Sequence, residues 1–90
     1  MGREIVLFSS EEHKTRPQVV TFLREIADRI EGGEVTLKQG NDSVTLSIPH
    51  NLVLELKAET ENKKGREKQT LEIEIEWYEG EEADKSVTLS

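Results

Sequence analysis

Leu71-Glu72-Ile73-Glu74-Ile75-Glu76-Trp77 decides how the chain folds. Apolar and acidic letters alternate without a break, which is the period of a strand with one dry face and one wet face. A strand of that kind needs a partner with the same phase. Leu52-Val53-Leu54-Glu55-Leu56-Lys57-Ala58 supplies one, with Leu52, Leu54, Leu56 and Ala58 in phase. A hairpin centred near Lys64-Gly65 sets Leu56 opposite Ile73, Leu54 opposite Ile75 and Leu52 opposite Trp77. The polar stretch from Thr60 to Gln69 then reads as its long connection.

Working toward the N-terminus, Val44, Leu46 and Ile48 alternate up to Pro49-His50-Asn51, and Val35 and Leu37 alternate before Gln39-Gly40-Asn41-Asp42. Pairing around Gly40-Asn41 puts Leu37 opposite Val44 and Val35 opposite Leu46. Pairing around His50 puts Ile48 opposite Leu52 and Leu46 opposite Leu54. Inward residues meet inward residues in all three hairpins, and a slip of one residue would reverse every set. The pattern predicts a four-stranded antiparallel meander, with Leu54 at the centre of its dry face.

Ahead of the strands lies one helix. Thr15 and Gln18 have capping-box spacing and Pro17 falls in the first turn. Val19, Phe22, Leu23, Ile26, Ala27 and Ile30 form an apolar stripe that Gly32-Gly33 terminates. One apolar helix face and one apolar sheet face predict a two-layer α+β fold with the helix on the meander and the indole of Trp77 under the helix. Ile5-Val6-Leu7-Phe8, apolar throughout, reads as an N-terminal strand added to that sheet.

Residues 1–79 are expected to form a single domain, and residues 80–90 an acidic tail, disordered or a short added strand. Ser86-Val87-Thr88-Leu89-Ser90 repeats Ser43-Val44-Thr45-Leu46-Ser47 letter for letter. Chance explains the repeat, since these are ordinary strand letters, and so does a tail able to cap an edge through Val87 and Leu89.

Phe22-Leu23-Arg24-Glu25-Ile26-Ala27-Asp28 with Gly32-Gly33, then Val44-Thr45-Leu46-Ser47-Ile48-Pro49, then the Leu71–Trp77 stretch stand in an order and spacing that resembles the amphi-Trp domain family, small prokaryotic proteins. The likeness covers residues 3–79. It implies a small stand-alone domain and carries no established activity, so it transfers no catalytic residue.

Composition narrows the function classes. The net charge is −7, and the chain contains no cysteine. Thiolate metal sites and disulfides are thereby excluded, and a reducing cytoplasm is the expected compartment. Residues 1–33 carry 5 Lys+Arg against 6 Asp+Glu, and residues 34–90 carry 7 against 13. So acidic a surface suits neither nucleic acid nor anionic lipid. No apolar run has the length of a leader or a membrane span. Charged residues at 34% of the chain, of mixed sign, match the habit of thermophile proteins.

Few constellations could carry chemistry. The wet sheet face holds Glu55, Glu72, Glu74 and Glu76, with Glu55 facing Glu74 and Lys57 facing Glu72. Opposed carboxylates invite a divalent cation with oxygen ligands, yet a flat row of acids is also how small sheets keep their outer faces solvated. Lys63, Lys64 and Arg66, with Lys68, form a basic cluster able to hold an anion or an acidic chain, or else a solvated loop. Trp77 is a core residue or a stacking platform, and Tyr78 points to the wet face. His13 and His50 read as exposed side chains, and no nucleophile–base pair stands out. The expectation is a non-enzymatic binding or assembly module, without a cofactor, that meets an unknown protein partner or itself through its sheet face or strand edges. The alternative is a divalent-metal or small-ligand domain using the acidic face or the Trp end.

Overall fold

Thr15 opens the helix by satisfying backbone donors that a helix cannot satisfy itself. The Gln18 backbone N–H donates to Thr15 Oγ1 at 3.3 Å and the Thr15 N–H donates to Gln18 Oε1 at 2.9 Å, the reciprocal box expected from the spacing. The structure, a computed structural model, describes residues 2–80. Two compact units divide the chain between Ile48 and Pro49. The amphipathic tail Ser86–Ser90, with Val87 and Leu89, lies outside the described residues.

In the first unit α1 spans Arg16–Glu31, with Pro17 in its first turn. Gly32 caps it, donating to Asp28 O at 3.1 Å, and Gly33 turns the chain with φ +88. The left-handed backbone there suits a residue without Cβ. The Gly33 carbonyl accepts from the Ile48 N–H at 2.9 Å, tying the helix exit to the end of the second strand. β1 (Glu34–Gln39) and β2 (Asp42–Ser47) pair antiparallel, Leu37 with Val44 and Val35 with Leu46, the register read from the sequence. The helix packs on β1. Val35 is the one buried apolar residue among those described, with Ile26, Ile30, Leu37, Val44 and Leu46 half-buried around it. On the other face the Thr36 and Thr45 hydroxyls meet at 2.9 Å across the strands.

The second unit is one hairpin, β3 (Val53–Lys63) with β4 (Arg66–Glu76). Leu54 faces Ile75, Leu56 faces Ile73, Glu55 faces Glu74 and Lys57 faces Glu72, all as the alternation requires. The strands run further than the alternation suggests, because Thr60–Gln69 is strand up to a two-residue turn. Both turn residues are left-handed, Lys64 at φ 52 and Gly65 at φ 80, the signature of a turn whose twist matches the strands it joins. Polar side chains on the tip bind one another. Thr60 Oγ1 donates to Glu67 Oε1 at 3.0 Å, Asn62 Nδ2 to Glu67 Oε2 at 3.1 Å, Gln69 Nε2 to Thr60 Oγ1 at 2.9 Å and the Gly65 N–H to Asn62 Oδ1 at 3.2 Å.

Two expectations change, and a third, the four-stranded meander, is met only in its two outer hairpins. The N-terminal strand is not formed: residues 2–15 carry no strand, and Ile5, Val6 and Leu7 are exposed. A run apolar throughout needs cover on both sides, and the first unit offers a single helix on a single hairpin. The strands pair as β1 with β2 and β3 with β4, in two two-stranded sheets. The pairing of Ile48 with Leu52 and Leu46 with Leu54 is not among the ladders of the described residues. Secondly, Leu54 faces Ile75 but is not a buried centre, being 61% exposed. A hairpin has no second layer of its own to cover its apolar face. The α+β class stands, and no helix among the described residues is long and apolar enough to cross a membrane.

Lys64 holds a backbone conformation that a side chain with Cβ disfavours by roughly 1–2 kcal/mol, whereas asparagine adopts it readily. Lys64→Asn should therefore raise the stability of the chain by about 0.5–1 kcal/mol, read as the midpoint of chemical denaturation. An unchanged or lower midpoint would contradict the left-handed turn.

Candidate functional site

The alternation of β3 and β4 sorts the hairpin into two faces of opposite character. Leu54, Leu56, Ala58, Leu71, Ile73 and Ile75 share the apolar face, and near the tip the same face changes to Thr60, Asn62, Glu67 and Gln69. The other face is mostly charged. From the open end it reads Glu76, Glu74 and Glu72 on β4 against Val53, Glu55 and Lys57 on β3; toward the tip it reads Thr70, Lys68 and Arg66 on β4 against Glu59, Glu61 and Lys63 on β3. On this face β4 is acidic at its base and basic at its tip, whereas β3 mixes the two signs.

At the base three carboxylates converge. Glu55, Glu74 and Glu76 each place an oxygen within 4.8 Å of the others, all exposed. Glu74 and Glu76 are two apart on one strand and so project from the same face, while Glu55 comes from the facing position on β3. A hydrogen bond that the protonated Glu74 carboxyl donates to Glu76, reinforced by the negative charge of Glu76, raises the pKa of Glu74 above the ordinary value. Glu72, expected to join this set, does not. Lys57 draws it away, with its Nζ 3.9 Å from Glu72 and 3.6 Å from Glu59. At the tip Lys63 and Arg66 face each other and Lys64 lies in the turn. Among the described residues none of these three enters an ion pair. Glu67, on the other face, has its pKa lowered by the hydrogen bonds from Asn62 and Thr60.

The aromatic candidates stand just beyond the ladder. Trp77 follows β4 directly and is half-buried, and Tyr78 is 78% exposed. His13 lies in the segment before α1 and His50 in the bend after Pro49, both exposed. They belong to different units. In the first unit an open groove runs beside the helix, lined by Phe8, Lys14, Val19, Phe22, Arg29 and Leu37. Its rim is held by Lys14 Nζ at 2.9 Å from Glu12, whose other oxygen accepts from Gln39 Nε2 at 3.4 Å. The sequence carried no signal for this groove, since Phe8 reaches it only because the N-terminal strand is not formed.

The two displaced carboxyls act on stability with opposite signs. Glu74 takes a proton more readily in the folded chain than in the unfolded one. Its contribution is therefore favourable below the unfolded pKa and is lost as pH rises through the folded one. Glu67 is the reverse, favourable above the unfolded pKa and lost as pH falls through the folded one. At neutral pH, with protein dilute enough to exclude association, Glu74→Gln should raise the thermal midpoint slightly, and the gain should vanish in acid below the ordinary carboxylate pKa. A gain that persists in acid would place its origin elsewhere.

The Amphi-Trp domain family matches residues 1–90, the tail included, and the chain belongs to that family. No curated protein and no solved structure matches it.

Proposed function

We propose that this Amphi-Trp domain is a non-enzymatic binding or assembly module that works through the face and edges of its β3–β4 hairpin. The observation that carries the reading is the apolar face. Leu54, Leu56, Leu71 and Ile73 are 52–73% exposed, although their alternation with acids marks them for burial. Complete burial of such a side chain is worth about 1.5–3 kcal/mol, so a surface laid over these four residues gains several kcal/mol, comparable with the whole stability of a small domain. The module needs no nucleophile, base or cofactor for this work. The finer fold, a single four-stranded meander carrying the helix, is the competing proposal for the same face: there the chain's own helix covers it, and Leu56→Glu would unfold the chain rather than leave it folded. Its support is that both outer hairpins hold the registers the meander requires. The module reading also includes a protein partner or a second copy met at the face and edges, a reducing cytoplasm supported by the lack of cysteine, and no nucleic-acid or membrane partner, supported by the net charge of −7.

Leu56→Glu puts a charge in the middle of the apolar face without touching the ladder. It should leave the chain folded by circular dichroism and abolish concentration-dependent association in sedimentation velocity. Association that survives this change would remove the face from the reading.

A second reading rests on the convergence of Glu55, Glu74 and Glu76, whose oxygen donors suit a hard divalent cation. The carboxylates stand in a flat, solvated row with no loop to complete a coordination sphere. Ca²⁺, Mg²⁺ and Zn²⁺ should therefore shift the thermal midpoint no further than matched ionic strength does. A saturable shift with one ion, lost in Glu74→Gln, would establish the cation site instead.

A further inference from the structure

β4 reads Arg-Glu-Lys-Gln-Thr-Leu-Glu-Ile-Glu-Ile-Glu from 66 to 76, and its charged face is Arg66, Lys68, Thr70, Glu72, Glu74, Glu76. The basic residues lie in one half and the acidic residues in the other. Such a strand is complementary to itself when reversed. Among the described residues β4 pairs with β3 alone, so its outer edge presents a row of backbone donors and acceptors. Resting on the assembly reading above and naming its partner, we propose that two copies of the chain join edge to edge through β4, antiparallel, about a two-fold axis at Leu71.

In that register Arg66 faces Glu76 of the second copy, Lys68 faces its Glu74 and Thr70 faces its Glu72, and symmetry repeats each pairing. No like charges oppose. The Glu74–Glu76 repulsion left in one copy is met by cations of the other. Leu71, the midpoint of β4 and at 73% the most exposed apolar residue of the hairpin, meets its own copy at the axis. The alternatives are worse. A parallel alignment in register sets acid against acid. Sliding two residues one way opposes Glu72 to Glu72, and sliding the other way runs Ile75 and Glu76 into the Lys64-Gly65 turn. Pairing β3 with a reversed β3 over its full length opposes Glu55 to Glu61 twice. β1 and β2 are 6 residues long against 11 for β4, and offer a shorter ladder. The charges thus admit one long register and oppose its competitors, which is how an edge is kept specific rather than sticky.

The test reverses charges where the single chain gains from it. Within one chain Arg66 faces Lys63 and Glu76 lies beside Glu74, so Arg66→Glu and Glu76→Arg each relieve a like-charge contact and leave the hairpin intact. Between copies each creates two repulsions. Sedimentation equilibrium on the full chain should show a dimer whose dissociation constant rises about ten-fold or more in either single variant. The double variant Arg66→Glu/Glu76→Arg should return to within about three-fold of the original. Because the chain has no cysteine, Leu71→Cys should cross-link under mild oxidation. The axis sets that position near its own copy at the roughly 5.5 Å between Cα atoms that a disulfide accepts. Glu59→Cys, on the other strand, should cross-link far more slowly.

A chain that is monomeric at all concentrations overturns the proposal. If β4 amides resist exchange in such a monomer, a segment of the same chain holds the edge. Association that ignores both charge reversals but is abolished by Leu56→Glu overturns the edge pairing and leaves the assembly reading in place. Association insensitive to all three variants overturns both.

Discussion

The turn at Lys64-Gly65 is the constraint on which the second half of the molecule depends. Two residues with positive φ connect the strands with no slack, so Lys63 must face Arg66 and every later pair follows in steps of one. That register decides which side chains share a face. It brings Glu55 opposite Glu74, and it sets Leu54 and Leu56 against Ile75 and Ile73. A three-residue turn would break this symmetry and leave apolar and acidic residues mixed on both sides. The polar network from Thr60 to Gln69 holds the first turns of the ladder, where there is no apolar contact to do so. A turn that costs conformational energy at Lys64 is tolerated because the network beside it fixes the same geometry.

Much of this could be read from residues. The helix was legible because its start and stop are written in caps and glycines as well as in periodicity. Both hairpin registers were legible because the alternation has a single phase that lets every apolar residue meet another. The tip of the long hairpin was not legible as strand. Glu59 to Lys68 is polar on both faces, and a strand polar on both faces has the composition of a loop; only the cross-strand hydrogen bonds of Thr60, Asn62, Glu67 and Gln69 distinguish them. Ile5-Val6-Leu7-Phe8 failed for the opposite reason. Its letters demand cover on both sides, and local sequence cannot say whether a fold supplies a second layer.

The candidate site was legible in its members and less so in their grouping. Four acids were visible on one face, and the facing of Lys57 with Glu72 was visible as well. What the facing does is physical: one cation removes one carboxylate from the set and leaves Glu55, Glu74 and Glu76 to each other. The exposure of the apolar face was the least accessible feature. A sequence marks residues for burial without naming the surface that buries them, and within this hairpin no layer does.

Glu67 and Glu74 stand on the same strand with proton affinities displaced in opposite senses. As the medium acidifies, Glu74 is neutralised early and Glu67 late. Glu74, near the base of the hairpin, therefore gives up its charge while Glu67, near the tip, keeps its own. Close to the isoelectric point, near 4.8, colloidal behaviour depends on where charge remains more than on its sum. The carboxyl that yields its charge first stands on the strand that carries the exposed Leu71 and Ile73. Flocculation in acid would then be opposed less around Glu74 than around Glu67.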